Sequence, residues 1–495
     1  MNNSDNKELN RIYHTLGSLF HAGVAVLHAL KIVREQTHDT KMQQVLDGFI
    51  KDIAAGDSFH ESAAKFPDVF SAAVLAKIKA GEAMGTIDAT FLELADASGS
   101  ANAKDAEAED PDSAGVIKFV NLILYAAVRD KASDIHFECS HEKKLRIRYR
   151  IDGALRELSS PSPGRIPELI IERIKLMANM NPKETRLPQD GRIQMSIEGK
   201  DIDLRVSVSP YTSGESAVLR VLDHANLIIK LDQICESPET LGKLRSWIKR
   251  PNGLIIATGT TGSGKTTLLY ALLQELNSPD VKITTIEDPV EYIIDGVNQQ
   301  QVRCDIGLTF ARALRSQLRQ APNIMMIGET RDLETAQIMI QAAITGHLVL
   351  TTLHTQDAPE AIRRLLDIGI EPFLVNSTLT GVIAQRLVRC ICQKCKEEYQ
   401  PESWVLDLMG ANQPAKFFRG KGCEQCHQTG YRGRMAIHEL LEIDDPMRKL
   451  INHDAGLDEL RRQALASGMV TLKADGLAKV SQGLTTVEEV LRYCL

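Results

Sequence analysis

One eight-residue segment, Gly259-Thr-Thr-Gly-Ser-Gly-Lys265-Thr266, constrains this chain more than any other. Its spacing, G-x-x-x-x-G-K-[ST], lets successive backbone N–H groups converge on phosphate oxygens at the start of a helix, while the lysine adds a cation. The motif carries that meaning only between a strand and a helix. Here an apolar run, 254–258, precedes it and a helical stretch from Thr267 to residue 276 follows. Gly259, Thr260, Thr261, Gly262, Ser263, Gly264, Lys265, Thr266 and Thr267 therefore form the expected cradle for ATP. Lys265 is assigned to the β and γ phosphates and the Thr266 hydroxyl to Mg²⁺.

A phosphate cradle does not hydrolyse a nucleotide by itself. Carboxylates must hold the metal and orient or deprotonate a water. Glu287-Asp288-Pro289-Val290-Glu291 follows the apolar run 283–286, and Glu329 follows 324–327. Ligands of open α/β sheets bind beyond the carboxyl ends of their strands, so both clusters are candidates. Asp295 and Asp332 read as solvated loop acids. His347 and His354 bracket a further apolar run, 348–353. Arginines are the remaining requirement, because a guanidinium stabilises charge developing on the γ-phosphate and is sometimes supplied by a neighbouring subunit. Arg146, Arg148 and Arg150 alternate along one predicted strand, and Arg186, Arg192, Arg205 and Arg220 follow, more than local acids are expected to neutralise.

Four of the nine cysteines form two pairs, Cys392-x-x-Cys395 and Cys423-x-x-Cys426, separated by 27 residues. Each pair closes a knuckle that offers two thiolates, and four thiolates complete a tetrahedral Zn²⁺ shell with no open catalytic position. The zinc is therefore expected to be structural. A redox disulfide would need only one pair, and Cys390, two residues before Cys392, is a competing ligand.

The 495 residues exceed what one hydrophobic core supports and predict roughly three domains at about 150 residues each. Residues 1–97 show helical periodicity through Leu16, Leu19, Phe20, Gly23, Val24, Leu27 and Leu30, and then through Val45, Phe49 and Ile53. Gly56-Asp57-Ser58 reads as a stop followed by an N-cap. Residues 98–113 carry five acids against Lys104 and read as a flexible linker. Residues 114–223 combine a helix over 116–129 with strands alternating at 145–151, 193–197 and 202–208. Turns are expected at Asp152-Gly153 and Gly199-Lys200, so this is a small α/β unit. Residues 224–495 alternate short apolar strands and helices, the pattern of a largely parallel sheet, with the cysteine module at about 390–435. The fold class is multidomain α/β. A net charge of -7 and an aromatic content of 5% argue against a nucleic-acid partner. No apolar run reaches the roughly 18 residues of a membrane span, because His28 and Asn121 interrupt the longest ones. The polar start MNNSDNKELN does not read as a secretory signal, so the expected location is the cytoplasm.

Over residues 114–495 these motifs resemble the ATPases of type II secretion and type IV pilus assembly. Residues 132–138 (ASDIHFE), 148–153 (RYRIDG) and 186–192 (RLPQDGR) are similar to the domain that precedes the nucleotide core in that family. Thr285-Ile-Glu-Asp-Pro-Val-Glu291 is similar to its Asp box, Met326-Ile-Gly-Glu-Thr-Arg-Asp332 to its Walker B segment, and residues 346–354 to its His box. Thr330 departs from the isoleucine common there. The zinc module resembles that of assembly-type members. The resemblance implies a RecA-like P-loop ATPase core behind a PAS-like α/β domain. It also implies a cytoplasmic homo-hexamer at the inner-membrane face that powers pilin or pseudopilin assembly or protein secretion.

The roles it lends are specific. Glu329 is the Walker B acid and Mg²⁺ ligand, Glu291 or Glu287 activates water, and His354 with His347 contacts the γ-phosphate. Arg205 and Arg220 face nucleotide across domain or subunit boundaries. Residues 10–97 resemble instead the cytoplasmic helical domain of the inner-membrane platform protein, the motor's own partner, fused here in place of the motor's usual first domain. A nucleotide-dependent adaptor that docks to the platform without turnover is the alternative function.

Overall fold

The computed structural model describes residues 3–21, 26–37, 39–55, 57–84, 114–141, 144–158, 167–197, 200–223, 229–409 and 416–494, with single positions between 87 and 95. The expected linker at 98–113, Gly23 and Val24 of the first helical stretch, and the turn glycines Gly56 and Gly199 lie outside them. Chain contacts divide the protein into two compact units. One is Met1–Tyr149 with Leu155–Ile193 and Arg205–Arg220; the other is Arg150–Ala154 with Gln194–Leu204 and Val221–Leu495.

The first unit begins with helices α1 (Asn3–His21), α2 (Val26–Gln36), α3 (Thr40–Ala55), α4 (Phe59–Ala64) and α5 (Ala72–Met84). Their apolar stripes meet in one core of Leu16, Leu30, Val45, Phe49, Phe59 and Phe91. Phe59 is its hub, with ring centroids 5.2 Å from Phe49 and 5.3 Å from Phe91, the spacing at which edge and tilted aromatic pairs add to area burial. Ser58 is the N-cap read from sequence: its hydroxyl accepts from the Glu61 N–H while Glu61 answers on the Ser58 N–H.

Next comes the helix Ala114–Arg129, followed by six strands: β1 (Asp134–Cys139), β2 (Leu145–Ile151), β3 (Ala154–Glu157), β4 (Gln189–Ile197), β5 (Lys200–Tyr211) and β6 (Gly214–Asp223). They form a sheet in the order β3-β2-β1-β6-β5-β4. The basic face expected to be left over is largely neutralised. Arg148 pairs with Glu138 at 2.6 Å, Arg146 with Glu157 at 2.8 Å and Arg186 with Glu184 at 2.7 Å. The acids come from a neighbouring strand or from two residues away, pairings that the alternation of the arginines alone does not reveal.

The second unit is built on a seven-stranded sheet. β7 (Gly253–Thr258), β8 (Ile283–Glu287), β9 (Val297–Gln301), β10 (Ile324–Ile327), β11 (Leu348–Leu353), β12 (Leu379–Ile391) and β15 (Tyr431–Glu442) lie in the order β15-β12-β7-β11-β10-β8-β9. All neighbours are parallel except β12 and β15. β7, β8, β10 and β11 are buried along their whole length, as parallel strands covered on both faces must be. Successive residues serve opposite layers: Leu254 and Ile256 join one core, Ile255 and Ala257 the other. Trp247 is fully buried and packs so closely on Gly381 that a Cβ there would lie 2.6 Å from the indole. Among the described residues no helix is long and apolar enough to cross a membrane.

β12 and β15 form a long antiparallel hairpin whose far end, near Ile391 and Tyr431, opens into the cysteine module. There β13 (Lys396–Tyr399) and β14 (Phe417–Gly420) pair with each other between the two knuckles.

Candidate functional site

The registers of the parallel strands bring their carboxyl ends level. Thr258 at the end of β7 sits opposite Leu353 on β11, Thr351 opposite Ile327 on β10, and Ile327 opposite Ile286 on β8. Whatever follows each strand therefore lines one edge. Gly259 follows β7, His354 follows β11, Glu329 lies two residues beyond β10, and Glu287 ends β8.

The P-loop turns on glycines at positive φ, Gly262 at 76° and Gly264 at 86°. Gly264 is the N-cap, and the helix runs Lys265–Leu276, two residues earlier than the sequence reading placed it. Lys265 is therefore in the first turn. Its ammonium donates to the Gly259 carbonyl at 2.7 Å and the Thr260 carbonyl at 3.0 Å. Burial and the nearby Arg386 push its pKa down to about 8, with Glu329 acting in the opposite direction. The Ser263 hydroxyl is buried and unpartnered, and Thr266 is exposed. A cradle with N–H groups free at a helix start, a buried cation and an unpaired hydroxyl fits a phosphate chain.

Glu329 is held from two sides. Arg331 lies 2.6 Å from one carboxylate oxygen and His354 Nε2 lies 3.7 Å from the same oxygen. His354 is half-exposed, and burial together with Lys265 lowers its pKa while Glu329 opposes the shift. The hydroxyl of Thr266 and the carboxylate of Glu329 are hard oxygen donors, the set Mg²⁺ prefers. Thr330, the departure from the family pattern, is buried and shares a hydrogen bond with Thr351 at 2.9 Å, so a hydroxyl is satisfied there.

The structure places the remaining acids and corrects one expectation, that of His347. Glu287 is 2% exposed and its carboxylate accepts from the hydroxyls of Tyr270 and Thr285 and from Gln299. Burial raises its pKa, and the hydrogen bonds oppose that rise. It is locked in the floor of the site, whereas Glu291 is only half-buried. His347 precedes β11 and His354 follows it, so a six-residue strand, roughly 20 Å at 3.3 Å per residue, separates them. The His347 ring instead bonds the Ala342 carbonyl at 2.8 Å, and its backbone carbonyl accepts the N–H of Gly253 at the opposite end of β7. Asp332 is exposed, as a solvated acid would be, and it also caps the helix Leu333–Ile344 by accepting the Thr335 N–H.

Arg205 and Arg220 belong to the first unit. Arg220 pairs with Asp134 across β1 and β6 at 3.2 Å and keeps 59% of its side chain exposed; Arg205 is half-buried. The sequence reading missed Tyr270, Gln299, Gln385 and Arg386. None belongs to a motif; Tyr270 lies on the helix that follows the P-loop, while Gln299, Gln385 and Arg386 meet the site through the sheet.

The four cysteines meet as expected. The sulfur atoms of Cys392, Cys395, Cys423 and Cys426 all lie within 4.8 Å of one another, and Cys390 is not among them. Sγ–Sγ separations are 3.8 Å for Cys392–Cys423, 3.8 Å for Cys395–Cys426 and 3.7 Å for Cys423–Cys426. A disulfide needs about 2.05 Å. A tetrahedron of Zn–S bonds of about 2.3 Å has edges of about 3.8 Å, so the cluster fits zinc.

A P-loop flanked by a strand-end carboxylate and a histidine defines a nucleotide-hydrolysing α/β protein of the P-loop class. Residues 109–492 match the family "Type II/IV secretion system protein", and residues 12–107 match "Type II secretion system (T2SS), protein F". The chain is 47% identical over 386 residues to the type II secretion system ATPase E of Vibrio cholerae, covering 78% of this chain and 76% of that one. It is 46% identical over 393 residues to the type IV pilus assembly ATPase PilB of Myxococcus xanthus, covering 78% and 69%. Among solved structures, the pilus retraction motor PilT with bound ADP aligns at a TM-score of 0.52 and 26% identity, over 75% of this chain and 95% of that one. The chain belongs to the type II/IV secretion ATPase family, and it is an ATPase of the type II secretion and type IV pilus assembly kind with an added N-terminal region like protein F.

Proposed function

We propose that the chain is the hexameric motor of a type II secretion or type IV pilus-like system, turning over ATP to drive pilin or pseudopilin assembly or protein secretion. The observation that carries this reading is the convergence of Lys265, Glu329 and His354 at level strand ends. In it, the N–H groups of residues 259–267 and the Lys265 ammonium bind the phosphates. The Thr266 hydroxyl and Glu329 would hold Mg²⁺, which when bound would offset negative charge on the phosphates. Glu291, on the half-exposed side of the Asp box, orients the attacking water, while Glu287 fixes the floor beneath it. His354 contacts the γ-phosphate edge. Arg205 and Arg220 complete the charge stabilisation from a neighbouring subunit, and zinc bound by the four cysteines folds the module off the hairpin.

The expected domains at 1–97, 114–223 and 224–495, joined by a linker at 98–113, carry the division of labour in this reading. The N-terminal domain occupies or mimics the contact of the platform protein and docks or gates the ring at the cytoplasmic face of the inner membrane. Binding of labelled ADP and Mg²⁺-dependent turnover by the full chain test the reading. Lys265→Ala is expected to lose both, and turnover persisting in that variant contradicts the assignment.

A further inference from the structure

Arg386 is 2% exposed, yet among the described residues no carboxylate lies within 4.0 Å of its guanidinium. Its hydrogen-bond partners are all backbone carbonyls: Gln385 at 3.0 Å from Nη1, and Gln356 at 2.7 Å and Thr355 at 3.4 Å from Nη2. Glu439, Asp357 and Glu360 act on it only from further off, and a desolvated guanidinium with no carboxylate in contact is costly to bury, so what it organises bears on its presence. Two of its partners, Thr355 and Gln356, directly follow His354. Its other side faces the P-loop: a Cβ on Gly259 would lie 2.7 Å from Arg386 Nη1, in a backbone with φ at 151°.

The neighbouring groups reinforce the arrangement. β12 runs parallel to β7 with Ala384 opposite Thr258, so Gln385 and Arg386 reach just beyond the strand that carries the loop. Gln385 donates to the Ser263 carbonyl at 2.8 Å and bonds His438 behind it at 3.0 Å. The Thr258 hydroxyl, at the root of the loop, accepts the Thr355 N–H at 3.0 Å. Arg386, Gln385 and Thr258 thus tie the turn bearing His354 and the P-loop together, with Arg386 packed between them.

We propose that Arg386 is a positioning residue of the ATPase site, pinning the His354 turn against the Gly259 corner of the P-loop so that His354 stands at the γ-phosphate. The inference rests on the role given to His354 above. Lys keeps the charge but as a point donor it cannot span carbonyls on two sides, so Arg386→Lys isolates the geometry from the charge.

The experiment measures kcat, KM and ADP affinity in the full chain for Arg386→Lys, Arg386→Gln, His354→Ala and the double variant His354→Ala with Arg386→Lys. Expected is a fall in kcat of at least tenfold in Arg386→Lys with ADP affinity within threefold of the parent. The double variant is expected to be no slower than His354→Ala alone, within twofold, because the two residues act on one contact. A purely structural role would instead multiply the two losses or reduce ADP affinity and kcat together, and either result overturns the proposal. Parent-like turnover in His354→Ala overturns it by a different route, since it removes the role of His354 while leaving the Arg386 contacts intact.

Discussion

The Tyr270 hydroxyl donates to the Glu287 carboxylate and at the same time accepts the Glu291 N–H at 3.3 Å, so one tyrosine ties together both glutamates of the Asp box. The relationship sorts two residues that look equivalent in sequence. Glu287 has its oxygens occupied by protein donors, while Glu291 stays half-buried at the rim.

Glu291→Gln should therefore lower kcat by about 100-fold or more, the scale of a lost base or water-orienting group, with ADP affinity within a few-fold. Glu287→Gln should cost at least tenfold less in kcat and show instead as a lower thermal midpoint, since a mismatched buried donor set costs about 1–3 kcal/mol. Steady-state kinetics beside thermal melts of the two variants decide it; the reverse ranking would make Glu287 the base.

Arg220 is largely exposed and its pair with Asp134 is of the kind worth little to stability, about 0–1 kcal/mol. Arg220→Ala should then melt like the parent but turn over far more slowly, by about 100-fold or more if it serves as an arginine finger. Mixing Arg220→Ala with Lys265→Ala chains should recover part of the turnover, because each supplies what the other's shared site lacks. Mixtures no faster than the sum of their parts would restrict Arg220 to its own subunit.

The four sulfurs at 3.7–3.8 Å predict one zinc per chain. Cys423→Ser should lower that stoichiometry and open residues 390–435 to protease, since zinc sites of this kind contribute on the order of 10 kcal/mol to local folding. Activity should fall indirectly, because β12 runs from the cysteine knuckle to Arg386 and Gln385 at the P-loop. Unchanged zinc content and protease resistance would contradict the assignment.

Much of this was legible in the sequence, and the reason is locality. The strand, loop and helix around Lys265 are contiguous, the Ser58 capping box spans four residues, and the cysteine knuckles have fixed spacing. What escaped depends on strand order and register. His347 and His354 look like neighbours in a nine-residue motif, yet a strand places them at opposite edges of the sheet. Arg146 and Arg148 look unpaired until β3 and β1 bring Glu157 and Glu138 alongside. Gln385 lies more than 100 residues from the loop it supports, and only the adjacency of β12 and β7 joins them.

His438 is buried behind Gln385, near Lys479, Asp475 and Cys235, and burial pushes its pKa down to about 4. The unfolded chain, with a histidine pKa near 6.5, binds this proton first, so stability contributed by the neutral ring is lost as pH falls from about 6.5 toward 4. The slope is roughly 1.4 kcal/mol per pH unit for one proton. His438→Gln should keep a bond to Gln385 and flatten this part of the profile. Thermal midpoints of parent and variant between pH 7 and pH 5 should converge as the pH drops; a constant gap would contradict the buried neutral histidine.

The most direct test is Mg²⁺-dependent ATP turnover per chain, measured across protein concentration for the parent and for Lys265→Ala. A motor whose site is completed by a neighbour's arginine should turn over faster per chain as concentration rises, and Lys265→Ala should be silent throughout. Turnover independent of concentration would contradict the shared site, and turnover surviving in Lys265→Ala would contradict the P-loop as its source.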